Sequence, residues 1–221
     1  DVRLILRIAP AVAKAAMESG VATRPIADLD AYRQSLSRFV YQTGLFMRPV
    51  FAAAKARPAR VVYAEGEDER VLRAVQVVLD EGLARPIVVG RPKVVERRLE
   101  TLGLRMRAGR DFELVNPEFD PRYRDYWTTY HRLTERRGVS PEYAKIEMRR
   151  RLTLIGAMMI HKGEAESMLC GTFGTHALHL EYVDQVIGRR PGIGHYAAMN
   201  ALILPNRTIF ICDTYVNRNP S

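Results

Sequence analysis

The chain has 221 residues, of which 47% are hydrophobic and 27% charged, and its formal net charge is +9. That length supports a sizeable core in one large domain or two small ones, and the composition excludes wholesale disorder. No apolar run reaches the roughly 18 to 20 residues of a membrane span, and no apolar signal segment opens the chain, so a cytoplasmic location without a membrane partner is expected.

Asp1 is not an initiator residue, so the sequence reads as a piece of something longer. Arginine carries most of the positive charge, in the clusters 105–110, 135–137, 149–151 and 189–190. Spread over helix faces, such clusters read as solvated surface, and no nucleic-acid-binding motif accompanies them, so no nucleic-acid partner is expected. Cys170 and Cys212, each inside an apolar run, are expected to be buried free thiols.

In chain order, residues 1–26 carry an alanine-rich helix closed at Ser19 and Gly20, then a turn at Pro25. A second helix starts at Asp28 or Asp30 and ends at Gly44, with Leu29, Tyr32, Leu36, Phe39 and Val40 on one face. A short third helix runs from Pro49 to about Arg57. Val61 to Tyr63 then reads as a buried strand, broken by Gly66. Asp68 is a helix N-cap, Val71, Leu72, Val75, Val78 and Leu79 follow at helical spacing, and Gly82 is the stop. The loop between that strand and helix would suit a phosphate by position, but Glu65, Glu67, Asp68 and Glu69 already answer the helix dipole there. A well-capped core helix is the better reading.

Alternation continues with a strand over 86–90, a helix from Pro92 to Gly103 and a weaker strand over 112–115. Asp120–Pro121 is predicted to start a helix that ends at Gly138. Ser140–Pro141 starts the next, running to Gly163 with a bend near Thr153. Residues 168–170 form a strand, and the GTFGTH turn (171–176) leads into a helix bearing Leu178, Tyr182, Val183, Val186 and Ile187. The runs 197–204 and 208–212 pair as a hairpin. This alternation predicts an α/β fold, three-layer αβα with a mainly parallel sheet, in two subdomains of which the second is incomplete. The expected segments are 1–26, a linker over 27–57, a first subdomain over 58–166 and the start of a second over 167–221.

Chemistry is sparse by residue pattern alone. His176 and His179 lie three apart, but no carboxylate or cysteine completes a metal pattern, and helix surface is the plainer reading. Gly171 and Gly174 could let Thr172, Thr175 and nearby backbone donors hold an anion, although a tight turn needs glycines too. No nucleophile elbow, lysine-bearing phosphate loop or dinucleotide fingerprint is present.

VVYAEGEDERVLRA, PIVVG, ERRGVSPEYA, GAMMIHKGEAESMLCGT and CDTYVNRNP, in that order from Arg60 to Ser221, resemble the phosphate acetyltransferase and butyryltransferase family. LILRIAPAVAKAAMESGVATRPI resembles the end of the catalytic region of large bacterial NADP-dependent malic enzymes, and LDAYRQSLSRFV followed by GLFMRPVF resembles the linker that joins it to a phosphotransacetylase-like domain. The resemblance implies two α/β subdomains with a cleft between them. It also implies regulation by acetyl-CoA, homo-oligomer assembly, and oxidative decarboxylation of malate by the whole protein. NADP and Mg or Mn would be bound by the malic enzyme catalytic region of the same chain, with no cofactor in this stretch. Thr172, Thr175, His176, Arg132, Arg136 and Asn217 are the candidate acetyl-CoA contacts; no catalytic or metal-binding residue is assigned. Two arginines of active family members fall on Thr134 and Glu181, and a third, with an aspartate, falls beyond Ser221. A non-catalytic domain is therefore expected, with an active phosphate acetyltransferase as the alternative, since acyl-phosphate chemistry needs fixed positive charge on the phosphoryl oxygens.

Overall fold

The computed structural model describes residues 4–204, 207–213 and 216–217, with the backbone alone over 38–46. Two compact units emerge: residues 53–194, and residues 1–52 with 195–221.

The larger unit is built on a parallel sheet of β1 (Ala59–Tyr63), β2 (Ala84–Val89), β3 (Glu113–Val115) and β4 (Ser167–Leu169), in the order β3-β2-β1-β4. Val62 sits opposite Ile87 in one ladder and opposite Met168 in the other. Side chains alternate across the sheet with period two, and each set has its own cover. Tyr63 and Val88 face α3 (Glu69–Asp80) and α4 (Pro92–Thr101), in a core with Leu72, Val75, Val95 and Leu99. Val62, Ile87, Val89 and Val115 face the other way, toward α5 (Tyr123–Thr134), α6 (Pro141–Arg150), α7 (Leu152–His161) and α8 (His176–Val186). This is the three-layer α/β arrangement the alternation predicts.

The winding explains the layers. From β1 the chain steps outward to β2 and β3, leaving α3 and α4 on one face. It then crosses to the opposite face and returns beside β1 as β4. Right-handed crossovers in opposite directions put helices on opposite faces. The reversal lies between β1 and β4, and ligands in such sheets bind in the crevice outside the carboxyl ends of strands at that point. Residues 167–194, placed by sequence at the opening of a second subdomain, thus supply β4 and α8 to the same unit as β1.

Several local starts follow their sequence signals. Asp68 accepts a hydrogen bond from Arg70 N at 2.8 Å, and Ser140 accepts one from Tyr143 N at 3.2 Å. Others differ. Asp120 receives Arg122 N at 2.9 Å in a turn, so α5 starts two residues late at Tyr123. The expected single helix from Ser140 to Gly163 is two helices, broken at Arg151 (φ −110°, ψ 95°).

Before the sheet, α1 spans Ile5–Glu18 and α2 spans Leu29–Ala56, running on through Gly44 and Pro49 where two helices were expected. An interior glycine costs a helix only about 1 kcal/mol, and proline's larger cost of about 3 kcal/mol is spread over a long element capped by Asp28, which takes the N–H groups of Asp30 and Ala31. The hairpin forms as expected from β5 (Met199–Ile203) and β6 (Thr208–Cys212). The two cysteines are free but exposed, not buried. Cys170 follows the edge strand β4, and Cys212 ends a two-stranded ribbon whose residues are mostly exposed.

Candidate functional site

The carboxyl ends of β1 and β4 meet through a hydrogen bond: the Glu65 carboxylate, 3% exposed, accepts the Gly171 N–H at 2.9 Å. Between them and the α6–α7 break lies a crevice of two adjoining chambers. One, of about 240 Å³, has Leu152, Leu178, Tyr182 and His179 on its walls. The other, of about 270 Å³, is bordered by Glu67, Asp68, Arg91, Glu118 and Arg149. Glu65, Arg150, Leu152 and Phe173 belong to both. A larger hollow of about 510 Å³, by Arg60, Arg85 and Gly109, opens at the amino end of the sheet. The crevice is the better candidate because it sits where the winding reverses.

On the β1 side the acidic loop is used up internally. Glu67 is bonded to Arg91 at 2.8 Å through both Nε and Nη2, which holds its carboxyl below the usual range. Asp68 caps α3 and also receives the Arg70 guanidinium, which lowers its pKa to about 2. Gly66 is required by close approach. A Cβ there would stand 2.1 Å from Val88 Cγ1 and 2.7 Å from Val89 O.

The β4 side is a turn with Gly171 (φ +101°) and Gly174 (φ +88°) in conformations that side chains resist. His179 fastens it from α8. Its Nε2 is 2.8 Å from Phe173 O and its Nδ1 2.7 Å from Thr153 Oγ1. A carbonyl can only accept, so Nε2 carries the proton, and in the neutral ring Nδ1 accepts from the Thr153 hydroxyl. Arg70 Nη2 reaches Thr172 O at 3.3 Å.

On the third side, three consecutive arginines end α6. Arg149 stacks over the Tyr123 ring at 4.4 Å. Arg151 bonds the buried Glu147 carboxylate at 3.1 Å, which also accepts from the Tyr182 hydroxyl. Burial, and then that bond, push the Tyr182 phenol up. Arg150 is exposed and has no ion-pair or hydrogen-bond partner among the described residues.

The predicted contacts are dispersed. Thr175 caps α8, accepting from Leu178 N at 3.4 Å, and His176 follows it. Thr172 Oγ1 is enclosed without a partner among the described residues, and Thr172 lines neither chamber. Arg132 and Arg136 are exposed and line neither chamber. Their neighbour Arg137 reaches Asp184 at 3.9 Å, about 12 Å along α8 from the turn at 1.5 Å per residue. Asn217 lies in the smaller unit, donating to Tyr196 O and Asp213 Oδ2, each at 2.7 Å. The positions matched to family arginines carry no positive charge: Thr134 is fully buried and donates to Tyr130 O, and Glu181 accepts from Gln185 on exposed α8 surface.

Of the crevice residues, the sequence pattern marks Glu65 only as part of the acidic loop and His179 as helix surface, and gives Arg150, Arg151 and Thr153 no site role. For those three the signal is present in the run LTLIGAMMI behind RRR. A helix apolar all round is a buried one, so the polar residues at its start must stand at an opening.

Comparison with known proteins bears on the family and the fold. The model of the family described as phosphate acetyl/butaryl transferase matches residues 45–221. An NADP-dependent malic enzyme of Escherichia coli (strain K12) is 54% identical over all of the chain, and an NAD-dependent malic enzyme of Rhizobium meliloti (strain 1021) is 56% identical over the same extent. The chain spans 29% of the length of each. A solved phosphotransacetylase from Streptococcus pyogenes superposes with a TM-score of 0.61 at 26% identity, covering 71% of this chain and 47% of that one. The chain therefore belongs to the phosphate acetyl/butyryl transferase family.

Proposed function

We propose that this chain is the phosphotransacetylase-like regulatory region of a malic enzyme, sensing acetyl-CoA and supporting a homo-oligomer, with no acyltransferase turnover of its own. The observation that supports the malic enzyme part of the reading is coverage. The family model begins at residue 45, whereas the likeness to malic enzymes takes in residues 1–44 as well. The whole protein would then decarboxylate malate oxidatively, with a nicotinamide cofactor and Mg or Mn held outside this stretch. Among the described residues no cluster of three acidic, histidine or cysteine side chains could hold a metal. NADP is proposed as the cofactor, although the two relatives above differ on this point.

Loss of turnover is supported by charge. Transfer through an acyl phosphate needs cations fixed on the phosphoryl oxygens. The two matched positions are a buried threonine and a glutamate. Calorimetry of the full-length protein with acetyl-CoA tests the reading: saturable heat is expected, and none at millimolar ligand overturns it. The competing reading, an active phosphate acetyltransferase, is supported by the arginines that remain at the crevice. It predicts acetyl phosphate formation from acetyl-CoA and phosphate, whereas the regulatory reading predicts none.

A further inference from the structure

We infer that Arg150 is the residue with which the crevice takes an oxyanion, the phosphoryl or carboxylate group of a ligand whose other end is small and apolar. The inference rests on the crevice being an acyl-ligand site. It departs from the arginines expected for that role, since Arg132 and Arg136 line neither chamber.

Three adjacent arginines meet three fates. Arg149 is stacked on Tyr123 and Arg151 is tied to Glu147, while Arg150 alone of the three has its guanidinium uncommitted among the described residues. An arginine at a helix carboxyl end can serve the helix dipole alone. Arg150 does more than that by position. The chain turns to extended backbone at Arg151, which leaves Arg150 on the rim that both chambers share.

The lining of the crevice is balanced in number, with Glu65, Glu67, Asp68 and Glu118 against Arg91, Arg149, Arg150 and Arg151. Glu65 holds Gly171, Glu67 holds Arg91 and Asp68 holds Arg70. Glu118, the remaining carboxylate on the polar chamber, acts on Arg91 only at a distance, Arg91 being already paired with Glu67. Arg150 is the one arginine of that lining with no ion pair, hydrogen bond or ring contact among the described residues, and its planar fork of donors matches an oxyanion. The amino end of α7, with Leu152 and Thr153 on the chamber wall, adds a field of the same sign. On the other side of Phe173 the walls are Leu152, Leu178 and Tyr182, which suit a short apolar group.

The test is calorimetry on the full-length protein with inorganic phosphate, acetyl phosphate, propionate and acetyl-CoA. Arg150→Gln is expected to weaken every probe that the wild type binds by about tenfold or more, as loss of a charge-assisted hydrogen bond does. Arg150→Lys should fall between, and Arg132→Gln with Arg136→Gln should bind as wild type. Weakening confined to the phosphate-bearing probes identifies a phosphoryl group, and weakening of propionate a carboxylate. Unchanged binding in Arg150→Gln overturns this inference while leaving the acetyl-CoA reading intact, as does a loss in the double variant alone. Phosphate binding that depends on Arg150 without acetyl-CoA binding upholds the inference and overturns the reading. A wild type that binds no probe overturns both.

Discussion

Asp68 and Gly66 sit two residues apart in one loop and constrain it by different means. Asp68 stops the first turn of α3 from leaving its N–H groups open, so Asp68→Ala should cost about 1 kcal/mol in urea-unfolding midpoint measurements. The charge gives that cap a pH window. The folded carboxyl titrates at about 2 against an ordinary 3.8, so its contribution is complete above that ordinary value. It is lost as pH falls from about 4 to 2, because the unfolded chain takes up its proton first. Acid titration of Asp68→Asn should show a shallower stability loss across that window than wild type; equal slopes would remove Asp68 from the account. Gly66 acts through space alone. In Gly66→Ala the valine side chain can shift but the Val89 carbonyl cannot, and a loss of about 2–3 kcal/mol is expected by thermal or chemical unfolding. The cap was legible in the sequence because an aspartate before an apolar helical stripe has one reading. The glycine was not, since a glycine at a turn looks the same whether it serves a positive φ or a close approach.

At the level of elements the α6–α7 break is what makes a site. A continuous helix would carry Arg150 and Arg151 past the crevice, whereas the extended backbone at Arg151 starts α7 inside the molecule and leaves both arginines at its mouth. Glu147 holds the arrangement together, buried at 4% exposure and accepting from both Arg151 and Tyr182. Glu147→Leu would leave an arginine and a phenol without their acceptor. A loss of about 2–3 kcal/mol is expected in chemical denaturation, at the lower end for a broken buried pair because Arg151 is 41% exposed. A variant as stable as wild type would show that Arg151 finds water or another partner at no cost. Ser140 and Pro141 announced the start of α6 plainly, and Thr153 drew the expectation of a bend near the true break. The positions sought by counting from the family's arginines were less fortunate. That count leads to Thr134 and Glu181, neither of them basic, and only the folded chain shows that Arg150, 16 residues beyond Thr134, lines the crevice.

For the molecule as a whole the decisive feature is the order β3-β2-β1-β4, and it is the part the sequence hid. Periodicity identifies strands and helices because each is a local pattern. Which strand returns beside β1 depends on a pairing across more than 100 residues, as Val61 with Ser167. Nothing within either segment records it. That pairing places Glu65 against Gly171, and with it the crevice. The same order predicts where the fold is strongest. Val62 and Val88 of the sheet and Leu154 of α7 are fully buried, while α1 buries only Pro10 among its residues and Met199, Leu202 and Phe210 of the hairpin are exposed. Amide hydrogen exchange on this chain should therefore find β1, β2 and α7 opening only with global unfolding, and α1, β5 and β6 exchanging through local opening several kcal/mol cheaper. Uniform protection across β1 and the β5–β6 hairpin would mean that the exposed ribbon is as much a part of the cooperative core as the parallel sheet, and the division into two units would fail.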